Sequence, residues 1–85
     1  MLLKAFLSLR NEGELKKFLR DLMTENEIEE FSKRIEAAEL LSQEMPYASI
    51  VKKTGLSSTT VARVAKWLHG TEGGYRSVLR KIHVR

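Results

Sequence analysis

Apolar residues in this 85-residue chain recur at steps of three and four behind residues that favour helix starts, and no stretch alternates convincingly between polar and apolar. That spacing puts side chains on one face of a helix, not on one face of a strand. Asn11 and Glu14 have capping-box spacing, and Leu15, Phe18, Leu19 and Leu22 follow as a stripe. Thr24 and Glu27 repeat the signature before Ile28, Phe31, Ile35, Ala38 and Leu41, which predicts the longest helix, reaching about residue 43. Glu25, Glu27, Glu29 and Glu30 crowd its first turns, where the positive end of the helix dipole favours acids. Pro46 suits a first helical position and opens a short helix over 47–53, which Gly55 ends in a left-handed conformation. Ser57 caps a helix over 58–69, Gly70 stops it, and Gly73-Gly74 leads to a last helix over 74–83 carrying Tyr75, Val78, Leu79 and Ile82. Good helix formers supply the rest, so the expected fold class is all-α.

A chain this short is one domain, and it buries only roughly 60–65% of the surface its unfolded form exposes. Cysteine is absent, which removes disulfides and thiolate metal sites as stabilisers. His69 and His83 lack a surrounding ligand cluster, so no metal is expected. Oligomerisation remains as the way to enlarge the core. No stretch reaches the ~18 apolar residues of a membrane helix. The opening Met1–Leu9 has the apolar character of a leader, but Lys4 interrupts it and Arg10-Asn11-Glu12 stands where small cleavage-site residues would be. It reads as a short amphipathic helix, and the expected compartment is the cytoplasm.

Charge is divided along the chain. Residues 1–45 carry seven Lys/Arg against ten Asp/Glu, a net of −3, whereas residues 46–85 carry eight against one, a net of +7. A short segment that basic suits a polyanion, because bound Lys and Arg release phosphate counterions; a solvated basic helix face is the plainer reading. The same region holds a motif. Tyr47–Leu68 reads as a helix-turn-helix: a short helix, a tight turn that glycine fills cheaply, and a second helix across the first. Ile50, Leu56, Val61 and Val64 lie at −5, +1, +6 and +9 from Gly55, the offsets such a corner requires. Val51, at −4, is bulkier than a close crossing wants and predicts a wider corner or a contact to another helix. With Val61, Val64, Ala65 and Leu68 inward, Ser57, Ser58, Thr59, Thr60, Ala62, Arg63 and Lys66 are the candidate DNA-binding residues of the second helix. Ser57–Thr60 serve as cap and groove contacts, Arg63 as a bidentate reader of guanine, and Lys66 as a phosphate contact; Lys52 and Lys53 of the first helix can touch the backbone.

The competing readings are an αα-corner with a solvated outer face, a helical interaction module docking on the transcription machinery, and a promoter-contacting fragment like the DNA-binding end of a sigma factor. An enzyme is not expected. The chain has no Cys/His pair, nucleophile elbow or phosphate-cradling loop, and nothing implies a cofactor.

The runs Thr24-Glu25-Asn26-Glu27, Lys33-Arg34-Ile35, Glu39-Leu40-Leu41 and Gly55–Val64 together resemble the tryptophan repressor. With the ending Leu68–Leu79 and its Gly73-Gly74-Tyr75, the chain is more similar still to the repressor-related YerC/YecD family of Gram-positive bacteria. The resemblance runs from about Leu9 onward. It implies a tryptophan-repressor-like bundle of six helices forming an intertwined homodimer. Residues 1–45 would be the dimerisation helices, 46–69 the helix-turn-helix and 70–85 the C-terminal helix. Two recognition helices would enter successive major grooves of palindromic double-stranded DNA. It also implies a ligand pocket. Thr24, Arg34, Thr60 and Arg63 match the repressor's tryptophan-binding threonines and arginines, but Val64 and Trp67 stand where it has a glycine and a serine. Both add bulk where an indole would sit, so DNA binding independent of L-tryptophan is expected. Trp67 also reads as a core or dimer-interface aromatic. Arg34 reads equally as a surface arginine paired with Glu30.

Overall fold

The computed structural model describes residues 1–83 and contains six helices, with no strand among the described residues. These are α1 (Leu2–Leu7), α2 (Glu12–Leu22), α3 (Glu25–Ser42), α4 (Tyr47–Thr54), α5 (Ser58–Leu68) and α6 (Gly74–His83). The chain separates into two compact units, Met1–Glu30 and Phe31–Arg85, with the division inside α3.

In the first unit the expected caps form. The Asn11 side chain accepts the Glu14 N–H at 2.9 Å. Thr24 and Glu27 complete a reciprocal capping box: Glu27 N–H donates to Thr24 Oγ1 at 3.1 Å, and Thr24 N–H donates to Glu27 Oε1 at 2.9 Å. Phe6 of α1 meets Phe18 of α2 edge to face, with ring centroids 5.4 Å apart. No residue of this unit is fully buried, and Leu2, Leu3 and Leu7 of α1 are exposed.

The second unit holds the buried core. Ala37, Ala38, Leu40 and Leu41 of α3 pack with Ile50 of α4, Leu56 of the turn, Val61, Val64, Ala65 and Leu68 of α5, and Leu79 of α6. Ala37, Ala38, Ile50 and Val61 have no exposure at all. Val51 packs against this core while remaining half-buried.

Three expectations need adjusting. Pro46 is the N-cap of α4 (φ −60°, ψ 144°) and not its first helical residue; its carbonyl accepts the Ser49 and Ile50 N–H groups. The helix boundaries shift by a residue: α4 runs on to Thr54, and α5 ends at Leu68 with His69 as its C-cap. Trp67 is no core residue of the single chain, because 53% of it is exposed. The apolar stripes of α3 and α6 are likewise only partly covered, with Phe31, Ile35, Val78 and Ile82 all exposed.

Candidate nucleic-acid interface

The α4–α5 corner is built by three residues. Gly55 adopts φ 79°, ψ 3°, and its N–H donates to Val51 O, closing α4. A Cβ there would find only Lys33 Nζ at 3.9 Å, so the position calls for glycine because of its backbone and not for want of room. Thr54 is the polar pin that the sequence did not reveal. It is buried; its hydroxyl donates to Ile50 O at 2.7 Å and accepts the Leu56 N–H at 3.2 Å, so the buried hydroxyl is satisfied within the turn. Ser57 then caps α5: its Oγ accepts the Thr60 N–H at 3.1 Å and donates to Thr60 Oγ1 at 3.0 Å.

This cap sets what α5 offers outward. Ser57 and Thr60 spend hydroxyl contacts on each other, and Thr60 is half-buried. Ser58, Thr59, Ala62, Arg63 and Lys66 are exposed, while Val61, Val64, Ala65 and Leu68 are buried on the opposite side. Lys52 and Lys53 stand exposed in the last turn of α4. The corner therefore presents a short polar start, an alanine, two cations on α5 and two on α4. No acidic residue lies between Tyr47 and Leu68.

Several of the residues matched to a ligand pocket have other engagements. Thr24 lies in the first unit, where its side chain is part of the capping box. Arg34 in the second unit is half-buried, with its guanidinium carbon 5.3 Å from the Phe31 ring centroid, a cation–π contact. Arg63 is exposed and Val64 is in the core at 2% exposure. Trp67 lines an open cleft of about 410 Å³ with Ile35, Glu72, Gly74, Tyr75, Val78 and Leu79, almost wholly apolar. No group of three potential metal ligands comes together among the described residues. His83 instead pairs with Glu39, Nε2 to Oε2 at 2.6 Å. No described helix is long and apolar enough to cross a membrane.

Comparison with known proteins places this geometry. The chain is 33% identical over 81 residues to the uncharacterized protein YerC of Bacillus subtilis (strain 168), covering 95% of this chain and 78% of that protein. A crystal structure of a TrpR-like protein from Eubacterium eligens ATCC 27750 superposes with a TM-score of 0.86 at 38% identity, over 95% of this chain and 84% of that one. A Trp-repressor candidate from Staphylococcus aureus gives a TM-score of 0.88 at 33% identity, over 99% and 84%. The sequence pattern of the Trp repressor protein family matches residues 1–83, and the chain belongs to that family.

Proposed function

We propose that the protein is a sequence-specific DNA-binding transcription regulator that acts as a homodimer through its α4–α5 helix-turn-helix. The family is one of transcription regulators, not of enzymes. The observation that carries the finer reading is the two-sidedness of α5: Val61, Val64, Ala65 and Leu68 anchor it, and Ser58, Thr59, Ala62, Arg63 and Lys66 are left for a groove. Arg63 reads a base edge and Lys66 a phosphate, while Lys52 and Lys53 contact the backbone beside it. Ser57 and Thr60 hold the first turn in shape. Two copies, joined through residues 1–45, place two such helices on a palindromic site.

Operator binding in this reading does not require L-tryptophan. The support is Val64, held in the core, and the bulk of Trp67, at the positions matched to a glycine and a serine. Isothermal titration with L-tryptophan is expected to show no binding; micromolar binding that tightens operator affinity would refute tryptophan independence.

Selection of bound duplexes from a random pool tests the whole reading, with a palindromic winner expected. Arg63→Ala should then cost the selected site about 1–3 kcal/mol and relax preference at one base position, whereas Lys66→Ala should weaken all duplexes alike and lower the salt slope by about 1. A pool that yields no enriched sequence, with a flat salt dependence, would favour a protein-docking module instead. The apolar cleft beside Trp67 is the feature that such a module would use.

A further inference from the structure

An α-helix leaves its last carbonyls without intrahelical donors. At the end of α5, His69 N–H donates to Ala65 O at 3.0 Å and Gly70 N–H to Trp67 O at 3.2 Å. Two further carbonyls are taken by one side chain of the next helix. Nη1 of Arg76, in the first turn of α6, donates to Leu68 O and, at 2.9 Å, to Gly70 O. The connection is shaped for this reach. Gly73 sits at φ 74°, a backbone that calls for glycine, and Arg76 Nη2 passes 3.2 Å from where a Cβ would lie. A guanidinium also suits the negative end of a helix dipole.

We propose that Arg76 is a positioning residue for DNA readout: its grip on Leu68 O and Gly70 O fixes the direction of α5 and makes the reading face depend on how α6 is seated. The inference rests on α5 being the recognition helix. The corner at Gly55 and Ser57 fixes the amino end of α5, and the buried Val61, Val64, Ala65 and Leu68 hold one face of it on the core, but apolar packing gives its carboxyl end no directional polar tie. Arg76 supplies the second anchor, one turn or so beyond Arg63 and Lys66. α6 is seated by Leu79, its one buried residue among those described, by the half-buried Tyr75 and by the His83–Glu39 pair, while Val78 and Ile82 are exposed. Whatever covers the apolar side of α6 therefore bears on α5 through Arg76.

Two measurements test this. In the free protein, Arg76→Ala should speed amide hydrogen exchange at His69 and Gly70 about tenfold while leaving Gly55 and Thr60 within about twofold, with Arg76→Lys restoring part of the protection. Unchanged exchange at His69 and Gly70 would overturn the grip. On duplexes selected by the wild type, Arg76→Ala should lower the ratio of specific to non-specific affinity about tenfold at an unchanged salt slope, and Arg76→Lys should recover part of it. A salt slope reduced by about 0.9, with specific and non-specific affinity falling together, would make Arg76 a phosphate contact and overturn the positioning role. A wild type that binds no duplex would overturn the regulator reading and the readout role together, whereas the exchange result would still decide whether Arg76 anchors α5.

Discussion

Gly55 and Glu44 both close a helix with left-handed backbone, at φ 79° and φ 63°. At Gly55 the residue suits the conformation; at Glu44 it does not. Gly55→Ala meets open space but a disfavoured φ, so it should cost about 1–2 kcal/mol, read as a lower urea midpoint with an unchanged slope. Glu44→Gly should do the opposite and gain about 0.5–1 kcal/mol. A loss there would mean that the Glu44 side chain contributes more than its backbone strain costs. The turn at Gly55 was legible because glycine stands at the right offset from Ile50, Leu56, Val61 and Val64. Glu44 was not legible, since glutamate carries no turn signal. A local helix-closing pattern sets its conformation: Glu44 N–H donates to Leu41 O at 2.9 Å and Met45 N–H to Leu40 O at 3.1 Å, and Pro46 after Met45 bars the helix from continuing. Thr54 was missed for a related reason, because a hydroxyl that satisfies a buried turn looks in sequence like any threonine.

Helix starts were legible to within a residue wherever a side chain caps them. Asn11, Thr24 and Ser57 stand immediately before α2, α3 and α5. Such a cap acts over four residues, so spacing alone reveals it. Ser57→Ala should cost about 1 kcal/mol of stability. It should also weaken duplex binding, because the first turn of α5 frays next to Ser58 and Thr59. Thr24→Ala should cost about as much, by loss of the bond from the Glu27 N–H, and makes a control in the other unit that leaves the corner intact. Equal losses of duplex affinity in the two variants would argue against a specific role for the start of α5. The covered face of each helix was much less legible than its start. Periodicity marks which side of α6 is apolar, but of Tyr75, Val78, Leu79 and Ile82 only Leu79 is buried. The same holds for Trp67, whose aromatic bulk promised a core and whose place is the wall of an open cleft.

Each unit of the molecule leaves large apolar side chains in solvent, and a stable monomer has little reason to do so. In the first unit these are Met1, Leu2, Leu3, Leu7, Leu15 and Leu22; in the second they include Ile35, Trp67, Val78 and Ile82. The family-level expectation of an intertwined dimer and the small-core argument both give this surface the same use, as the buried face of a pair of chains. If the proposed pair forms, stability depends on protein concentration, because association stabilises only the folded chains. A dilution on the order of a hundredfold should lower the Tm by several degrees. Trp67, the one tryptophan of the chain and 53% exposed in the single copy, should report the same event. Its emission should move to longer wavelength as the pair separates, at the protein concentrations where the Tm falls. If a second copy covers the cleft, Val78→Glu should bring both changes to higher concentration by placing a charge in an apolar interface. A Tm independent of concentration, with sedimentation as a single 9.8-kDa chain, would count against the pair and leave those leucines and Trp67 without a partner in solution.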